Sequence, residues 1–545
     1  VTPPFSARAL AALILIASIP TSVWAETASA GHRAHQIPSS DIRLEPLTEV
    51  RVPEADARGS AEIMAYDTRR QTLLVVSAEG GVLERFHVRQ DETALHLDDL
   101  GGINVWADLR AQDQPGAPRP SALTSVAYHA GQDLIAVSVT ATKPDDGWVV
   151  VYHAEGPAYL GHRTIGSHPD MLTFSPDGRV LYVANEGEAA ALGDSSPGSL
   201  AILQLPEDGE PLGQATLRQL YFSEDQVSRT APPPRVSQGW SFRADMEPEY
   251  IALSPDGEQA FVTLQENNAI ATVDLTQLRV TALWGLGAKD HRLPNQGLDV
   301  SDRDGGVNIR PWPLNSFYMP DGIAAYDHQG TTYLVTANEG DSRDLGGYQD
   351  TRRVGDLDCP EVPAADGERG PAQRAITNNR AEQNMGRLQV INVTGERCGT
   401  LTALGSRSFS IWDAEAQRRV FDSGDDFETL GARQGGRAFN DADRRSDQRG
   451  PEPEAVTLVT LQGRTYAFIA LERSGFVVVY DITDPLRVQY LTMTQADPAR
   501  HAGPESMVFL APEYSPNGRP LLAVAYEYSG SVVVYEIQRQ APPGG

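Results

Sequence analysis

Six carboxylates stand at one recurring point of a repeated phrase. Glu62, Asp170, Glu249, Asp321, Glu454 and Glu505 each lead into a β-rich run, and five of them directly follow proline. A seventh copy, at Thr124-Ser125, has hydroxyls there instead. A second set closes the next run: Asn185-Glu186-Gly187-Glu188, Gln265-Glu266-Asn267, Asn338-Glu339-Gly340-Asp341, Glu472-Arg473 and Glu527-Tyr528. Carboxylates gathered round one opening repel unless they are solvated, paired with arginine or holding a cation. Oxygen-only ligand sets favour Ca²⁺ or Mg²⁺ over transition metals. Glu249, Asp321, Glu339, Asp341, Glu454 and Glu505 are therefore metal-ligand candidates, with Ca²⁺ as the expected ion. The plainer reading of any single Pro-acid pair is a strand start whose carboxylate satisfies loop amides.

A second cluster lies in Gly297-Leu298-Asp299-Val300-Ser301-Asp302-Arg303-Asp304-Gly305-Gly306. Asp299, Asp302 and Asp304 followed by glycines match a calcium loop in composition, but not the spacing of an EF-hand. A cluster of Asx turns accounts for the same residues. Lys289, His291, Arg303, Arg343 and Arg407 lie in or beside the Asp-rich segments. Arginine forks bind phosphate bidentately, and a cation offsets its charge. A phosphoesterase would use His291, Arg303 and Arg343 as catalytic groups around Ca²⁺ held by Asp299, Asp302, Asp304, Glu339 and Asp341. No Walker loop, G-x-S-x-G elbow or H-E-x-x-H motif occurs, so no nucleophile can be named.

The elements that must position these groups are strands. Pro169 to Phe174 before Ser175-Pro176-Asp177-Gly178, and Pro248 to Leu253 before Ser254-Pro255-Asp256-Gly257, are the clearest of seven repeats. Such repeats predict an all-β fold, a seven-bladed β-propeller with long inserted loops on one face. Third strands are expected at Trp148 to Tyr152, Leu200 to Leu203, Ile270 to Val273, Leu388 to Val393, Phe476 to Tyr480 and Val532 to Tyr535, all rich in β-branched and aromatic residues. Leu47 to Val52 is expected to pair with Ser531 to Ile537 and close the ring, removing open sheet edges. The insertions are expected at Gly285 to Asn315, Asp341 to Asn384 and Thr402 to Gly450. Loops this long in a compact fold are commonly functional or disordered.

Composition narrows the partners. The chain has 545 residues, 40% of them hydrophobic, and a formal net charge of −28. That surface disfavours nucleic acid and anionic membranes. Residues 1–25 read as a signal peptide, with an apolar run from Ala9 to Ile19 and Val23-Trp24-Ala25 before the cut. Residues 26–41 are expected to be a flexible leader, 42–538 the propeller and 539–545 a disordered tail. The apolar run is too short to span a bilayer and no later stretch replaces it, so no transmembrane anchor is expected. The location is then periplasmic or secreted, and the expected state a monomer. In that setting Cys359 and Cys398 read as one disulfide.

Longer phrases resemble the choice-of-anchor I family of exported proteins. They include Ala61 to Tyr66, Phe174 to Gly178, Lys289 to His291, Gly297 to Gly306, Ala337 to Arg343, Ser406 to Trp412, Asp422 to Glu428 and Gly450 to Glu454. The resemblance implies an extracytoplasmic propeller-type domain, sometimes described as alkaline-phosphatase-like or phytase-like. Two readings follow. The first is an exported, surface-associated binding module whose acidic face takes a divalent cation and a surface ligand. The alternative is a Ca²⁺-dependent phosphoesterase acting on a phosphorylated small molecule. A purely structural propeller with solvated acids is the third.

Overall fold

The structure, a computed structural model, describes residues 42–53, 59–112, 118–187, 196–206, 211–345, 348–357, 379–392, 401–494, 497 and 500–539. The expected signal peptide and leader, the tail from residue 540, Glu188 and both expected disulfide partners, Cys359 and Cys398, lie outside the described residues.

The chain is all-β in its body. Strands Met64–Asp67, Pro120–His129, Pro169–Phe174, Ile251–Leu253, Ile323–His328, Pro453–Leu461 and Pro504–Leu510 each begin an antiparallel path of four strands. Each of these first strands contacts the next, and the last contacts the first. Four-stranded meanders whose first strands close a circle make a β-propeller. The ring is sealed as the sequence predicts. Ile42–Arg51 pairs antiparallel with Ser531–Arg539, Ile42 opposite Arg539 and Arg51 opposite Ser531. Arg539, expected in the tail, still belongs to this strand.

Apolar faces of neighbouring sheets form the core between them. Leu74, Val76 and Leu83 of the first sheet share one buried cluster with Val126, Val137 and Val150 of the second. Burying each such side chain contributes about 1.5–3 kcal/mol relative to exposure. The repeated turns repeat in geometry too. Ser175 Oγ donates to Asp177 Oδ1 at 2.7 Å and Ser254 Oγ to Asp256 Oδ1 at 2.6 Å, with Gly178 at φ +69° and Gly257 at φ +73°.

One strand assignment is corrected. Gln389–Ile391, within the expected third strand Leu388 to Val393, belongs to a separate sheet with Ala288–Asp290, Asn315–Phe317, Thr351–Arg353 and Thr402–Ala403. The third strand of that blade is Ser408–Asp413, paired with Thr331–Asn338. Its Phe409 and Ile411 are buried with Phe421 and Tyr480 on one side, and Trp412 packs edge-on to Trp284 and Tyr318 on the other. A run apolar on both faces belongs between two packed blades. All three expected insertions contribute to this accessory sheet, the third through Thr402–Ala403; the rest of the third supplies blade strands Ser408–Asp413 and Arg418–Asp422 and helix Asp426–Gln434.

Candidate functional site: an acidic funnel

Backbone register aims the repeated acids at the ring centre. Pairing slips between Pro169 and Leu172, between Pro453 and Val456, and between Pro504 and Ser506. These irregularities fall at Asp170, Glu454 and Glu505, and a bulge of this kind re-aims a side chain at a sheet end. Thr124 occupies the same place between Leu123 and Ser125, and its hydroxyl donates to Pro169 O at 2.7 Å. Glu249 and Asp321 are tied to their second strands by backbone bonds to Thr263 O and Ala337 O.

All six ring acids, Glu62, Asp170, Glu249, Asp321, Glu454 and Glu505, line one cavity of about 240 Å³. A second, wider space of about 310 Å³ shares Glu249, Asp321, Glu454 and Glu505 with it. The second set of acids enters there: Glu186, Glu266, Glu339, Asp341, Glu472 and Glu527. The result is a continuous acidic funnel. Both series of carboxylates read from the repeats converge on it.

Among the described residues, direct arginine ion pairs gather on one side of this funnel. Arg449 reaches Glu339 Oε1 at 2.9 Å, Asp341 Oδ1 at 3.0 Å and Glu452 Oε2 at 3.3 Å. Gly340 makes this possible: it lies at φ +88°, and a Cβ would stand 2.3 Å from the Gly405 nitrogen. Arg473 reaches Glu452 at 3.0 Å and Glu472 at 3.2 Å, and Arg445 adds a third guanidinium to Glu452. Burial alone would raise Glu452, but Arg449, Arg445 and Arg473 outweigh it and bring it down to about 2. No Lys or Arg ion pair reaches Glu62, Glu249, Asp321, Glu454 or Glu505 among the described residues. Burial and mutual repulsion push Glu249, Asp321, Glu454 and Glu505 well above the usual carboxylate range, and Glu62 to about 9. Burial likewise exceeds the pull of Arg449 on Glu339 and holds it high. Glu266, 6% exposed, and Glu454 each keep an Oε2 with no hydrogen-bond partner.

Two trios offer oxygen atoms all within 4.8 Å of one another: Asp321, Glu339 and Glu454, and Glu339, Glu452 and Glu472. The second trio already holds guanidiniums. The first has one, on Glu339, whose other oxygen accepts from Gln265 Nε2 at 2.8 Å.

The other sequence candidates lie elsewhere. Asp299, Asp302, Asp304, Arg303, Arg343 and His291 line neither part of the funnel. Asp299 Oδ2 accepts from Asn308 N at 2.6 Å, and Asp304 Oδ2 from Asn308 Nδ2 at 2.9 Å. Asp302 is bound by Arg387 at 3.0 Å, with Arg303 at 3.5 Å. The Asp299 and Asp304 oxygens serve their own loop, as Asx turns do, and those of Asp302 serve an ion pair with Arg387. Arg343 is buried against Asp245 at 3.0 Å, Glu247 and Ser237 Oγ at 2.7 Å. Burial, then Lys289, lowers His291 to about 3. Its neutral ring bridges Gln296 O at 2.6 Å and Ser316 Oγ at 2.7 Å. Lys289 and Arg407 are buried ties among the insertions. Sequence reasoning missed Arg449 and Glu452; both flank the Gly450-Pro451 step that leads to Glu454.

Residues 62–485 match the choice-of-anchor I domain. The chain belongs to the choice-of-anchor I family. Five of the six ring acids lie in the matched range, and Glu505 lies beyond it. The chain is 26% identical over 196 residues to Gigasin-3a of Magallana gigas, covering 30% of this chain and 69% of that protein. It is 28% identical over 288 residues to the mesenchyme-specific cell surface glycoprotein of Strongylocentrotus purpuratus, covering 44% of this chain but only 35% of that protein. Among solved structures it is similar to Kuenenia stuttgartiensis hydrazine synthase, with TM-score 0.45 and 13% identity over 91% of this chain and 98% of that one. The Cps50 (Swd1) β-propeller domain of Myceliophteria thermophila gives TM-score 0.42 and 8% identity over 90% and 99%. The propeller assignment rests on strand order and ring closure. No helix among the described residues is long and apolar enough to cross a membrane.

Proposed function

We propose that this chain is an exported, surface-associated binding module, a seven-bladed propeller whose acidic funnel takes one divalent cation, Ca²⁺. Asp321, Glu339 and Glu454 supply the first oxygens, with Glu249 and Glu505 in the surrounding wall. The observation that carries this is the trio of oxygens within 4.8 Å, in a wall where Asp321 and Glu454 have no basic partner among the described residues. A hard cation would remove the repulsion and satisfy Glu454 Oε2. A relative named as a cell surface glycoprotein is in line with surface association. A periplasmic or secreted location fits the expected signal peptide.

Calorimetric titration of Ca²⁺ and Mg²⁺ into EDTA-treated protein tests the reading. One site per chain is expected in the wild type, and at least about a tenfold loss of affinity in Asp321→Asn and Glu454→Gln. Wild-type protein that takes up no ion, or variants that bind as the wild type does, would refute it. The phosphoesterase alternative does not go forward with Arg303, Arg343 and His291, which lie away from the funnel.

A further inference from the structure

A second cavity, of about 320 Å³, adjoins the funnel between the last two blades. Arg437, Arg444, Arg473, Ser474, His501 and Tyr528 line it. Arg437 and Arg444 come from the third insertion, and the others from blade loops. Two carboxylates, Asp441 and Glu472, also face it. Arg444 takes Asp441 at 2.7 Å and Arg437 stands 3.4 Å from it, while Arg473 takes Glu472 at 3.2 Å. Arg473 is shared between Glu472 and Glu452, whereas Arg437 and Arg444 share the single carboxylate Asp441, so the basic end of the cavity is the side of Arg437 and Arg444, in a chain of net charge −28.

Polar groups here lack partners within the protein. Ser474 is 2% exposed and its Oγ has no hydrogen-bond partner. His501 Nδ1 is buried and unpartnered as well, while its Nε2 stands 3.4 Å from Glu49. A buried polar atom without a partner costs about 1–3 kcal/mol, so these atoms are set to bond to whatever fills the cavity, water or a ligand. With the Glu49 carboxylate accepting from Nε2, His501 Nδ1 is the acceptor nitrogen of its ring, and the hydroxyl and the guanidiniums are the donors that oxyanions accept from.

We propose that this cavity is a subsite for the oxyanion of a small ligand, a carboxylate or a phosphate, with Ser474, Arg437 and Arg444 as its donors and His501 Nδ1 as an acceptor for a ligand hydroxyl. Its volume is at the lower end of ligand pockets and suits a group the size of one sugar acid or phosphate ester. Glu472, Arg473 and Tyr528 form the wall shared with the funnel, and Arg473 Nη1 donates to Tyr528 Oη at 2.6 Å. The coupling to a funnel cation rests on the proposed function; the subsite itself does not. A cation in the funnel lowers the negative field and tightens oxyanion binding.

The test is calorimetric titration of the protein with inorganic phosphate in EDTA, and with glucuronate in EDTA and in Ca²⁺. Saturable binding of one or both probes at one per chain is expected, and which one binds separates the two sources. Arg437→Gln/Arg444→Gln and Ser474→Ala should each weaken it at least about tenfold. Arg437 and Arg444 have side chains 56% and 64% exposed, so that variant retains the fold, which its unfolding midpoint verifies. Absence of saturable binding by either probe overturns the proposal, as does binding that neither variant changes. Probe binding in EDTA with no Ca²⁺ uptake would refute the cation reading and leave the subsite standing.

Discussion

Arg449 is the point at which the funnel's electrostatics are most exposed to experiment. Arg449→Gln removes the guanidinium shared by Glu339, Asp341 and Glu452. The three losses are unequal. Asp341 is about half exposed at 49%, so water replaces the partner. Glu452 keeps Arg445 and Arg473. Glu339 is buried and is left with Gln265 alone. Breaking one buried pair typically costs about 3–5 kcal/mol. Only Glu339 is orphaned, and proton uptake limits its cost, so about 3 kcal/mol is expected in EDTA. If Ca²⁺ binds Asp321, Glu339 and Glu454, saturation at 100 times Kd returns about 2.7 kcal/mol through linkage. Urea unfolding of both proteins, with EDTA and with Ca²⁺, reads both terms. The ion should stabilise Arg449→Gln by more than it stabilises the wild type, because Glu339 is then unshared. A loss below about 1 kcal/mol, or equal stabilisation of both proteins by Ca²⁺, would refute the reasoning.

Three further outcomes follow from the same geometry. Glu472 titrates near 7 and Glu62 near 9 in the folded chain, against an ordinary value of 4.5. The folded state therefore holds protons that the unfolded state has released, and stability in EDTA should fall as pH rises from 4.5 to about 9, the Glu472 share ending near 7. Unfolding midpoints across that range check the slope, and calcium affinity should rise with pH as ligand protons leave. Glu452, lowered to about 2, acts oppositely: its contribution is complete above 4.5 and is lost as pH falls through 2. Glu505→Gln keeps shape and removes a buried carboxylate without a basic partner, so the variant should unfold at about 1 kcal/mol higher stability than the wild type in EDTA at pH 8. Deleting Ile42–Arg51 exposes the edge of Ser531–Arg539 and strips buried Ile42 and Leu44 from the last sheet, so size-exclusion profiles should shift toward aggregate relative to the intact chain.

The ring acids were legible because position within a strand repeat is a three-dimensional address. A residue leading into the first strand of a blade must stand at the channel mouth, so Pro453-Glu454 and Pro504-Glu505 could be placed without knowing any contact. Ring closure was legible for the same reason. The insertions have no such address. Asp299, Asp302 and Asp304 have a cation loop's composition, but whether their oxygens face an ion, Asn308 or Arg387 depends on structure that composition does not encode. Arg343 sits among acids in sequence, yet its partners Asp245 and Glu247 lie about a hundred residues away. The strand at Leu388 to Val393 had adequate β-propensity but lost its place in the blade to Ser408–Asp413, whose aromatic residues fill both flanking cores.

The funnel's two sides show why so many like charges persist at one place. Glu452 and Glu454 stand two residues apart. One is held at about 2 by three guanidiniums, the other is pushed well above its ordinary value by burial, then Asp321 and Glu472. If acids here served only to begin strands, arginine compensation would be expected on both. On the proposed reading, a cation at Asp321 and Glu454 would relieve repulsion between two acids that carry no guanidinium among the described residues, while Glu339 keeps its pair with Arg449. On the same reading, the guanidiniums on Glu339, Glu452 and Glu472 disfavour that trio and leave Asp321, Glu339 and Glu454 as the one the ion would take.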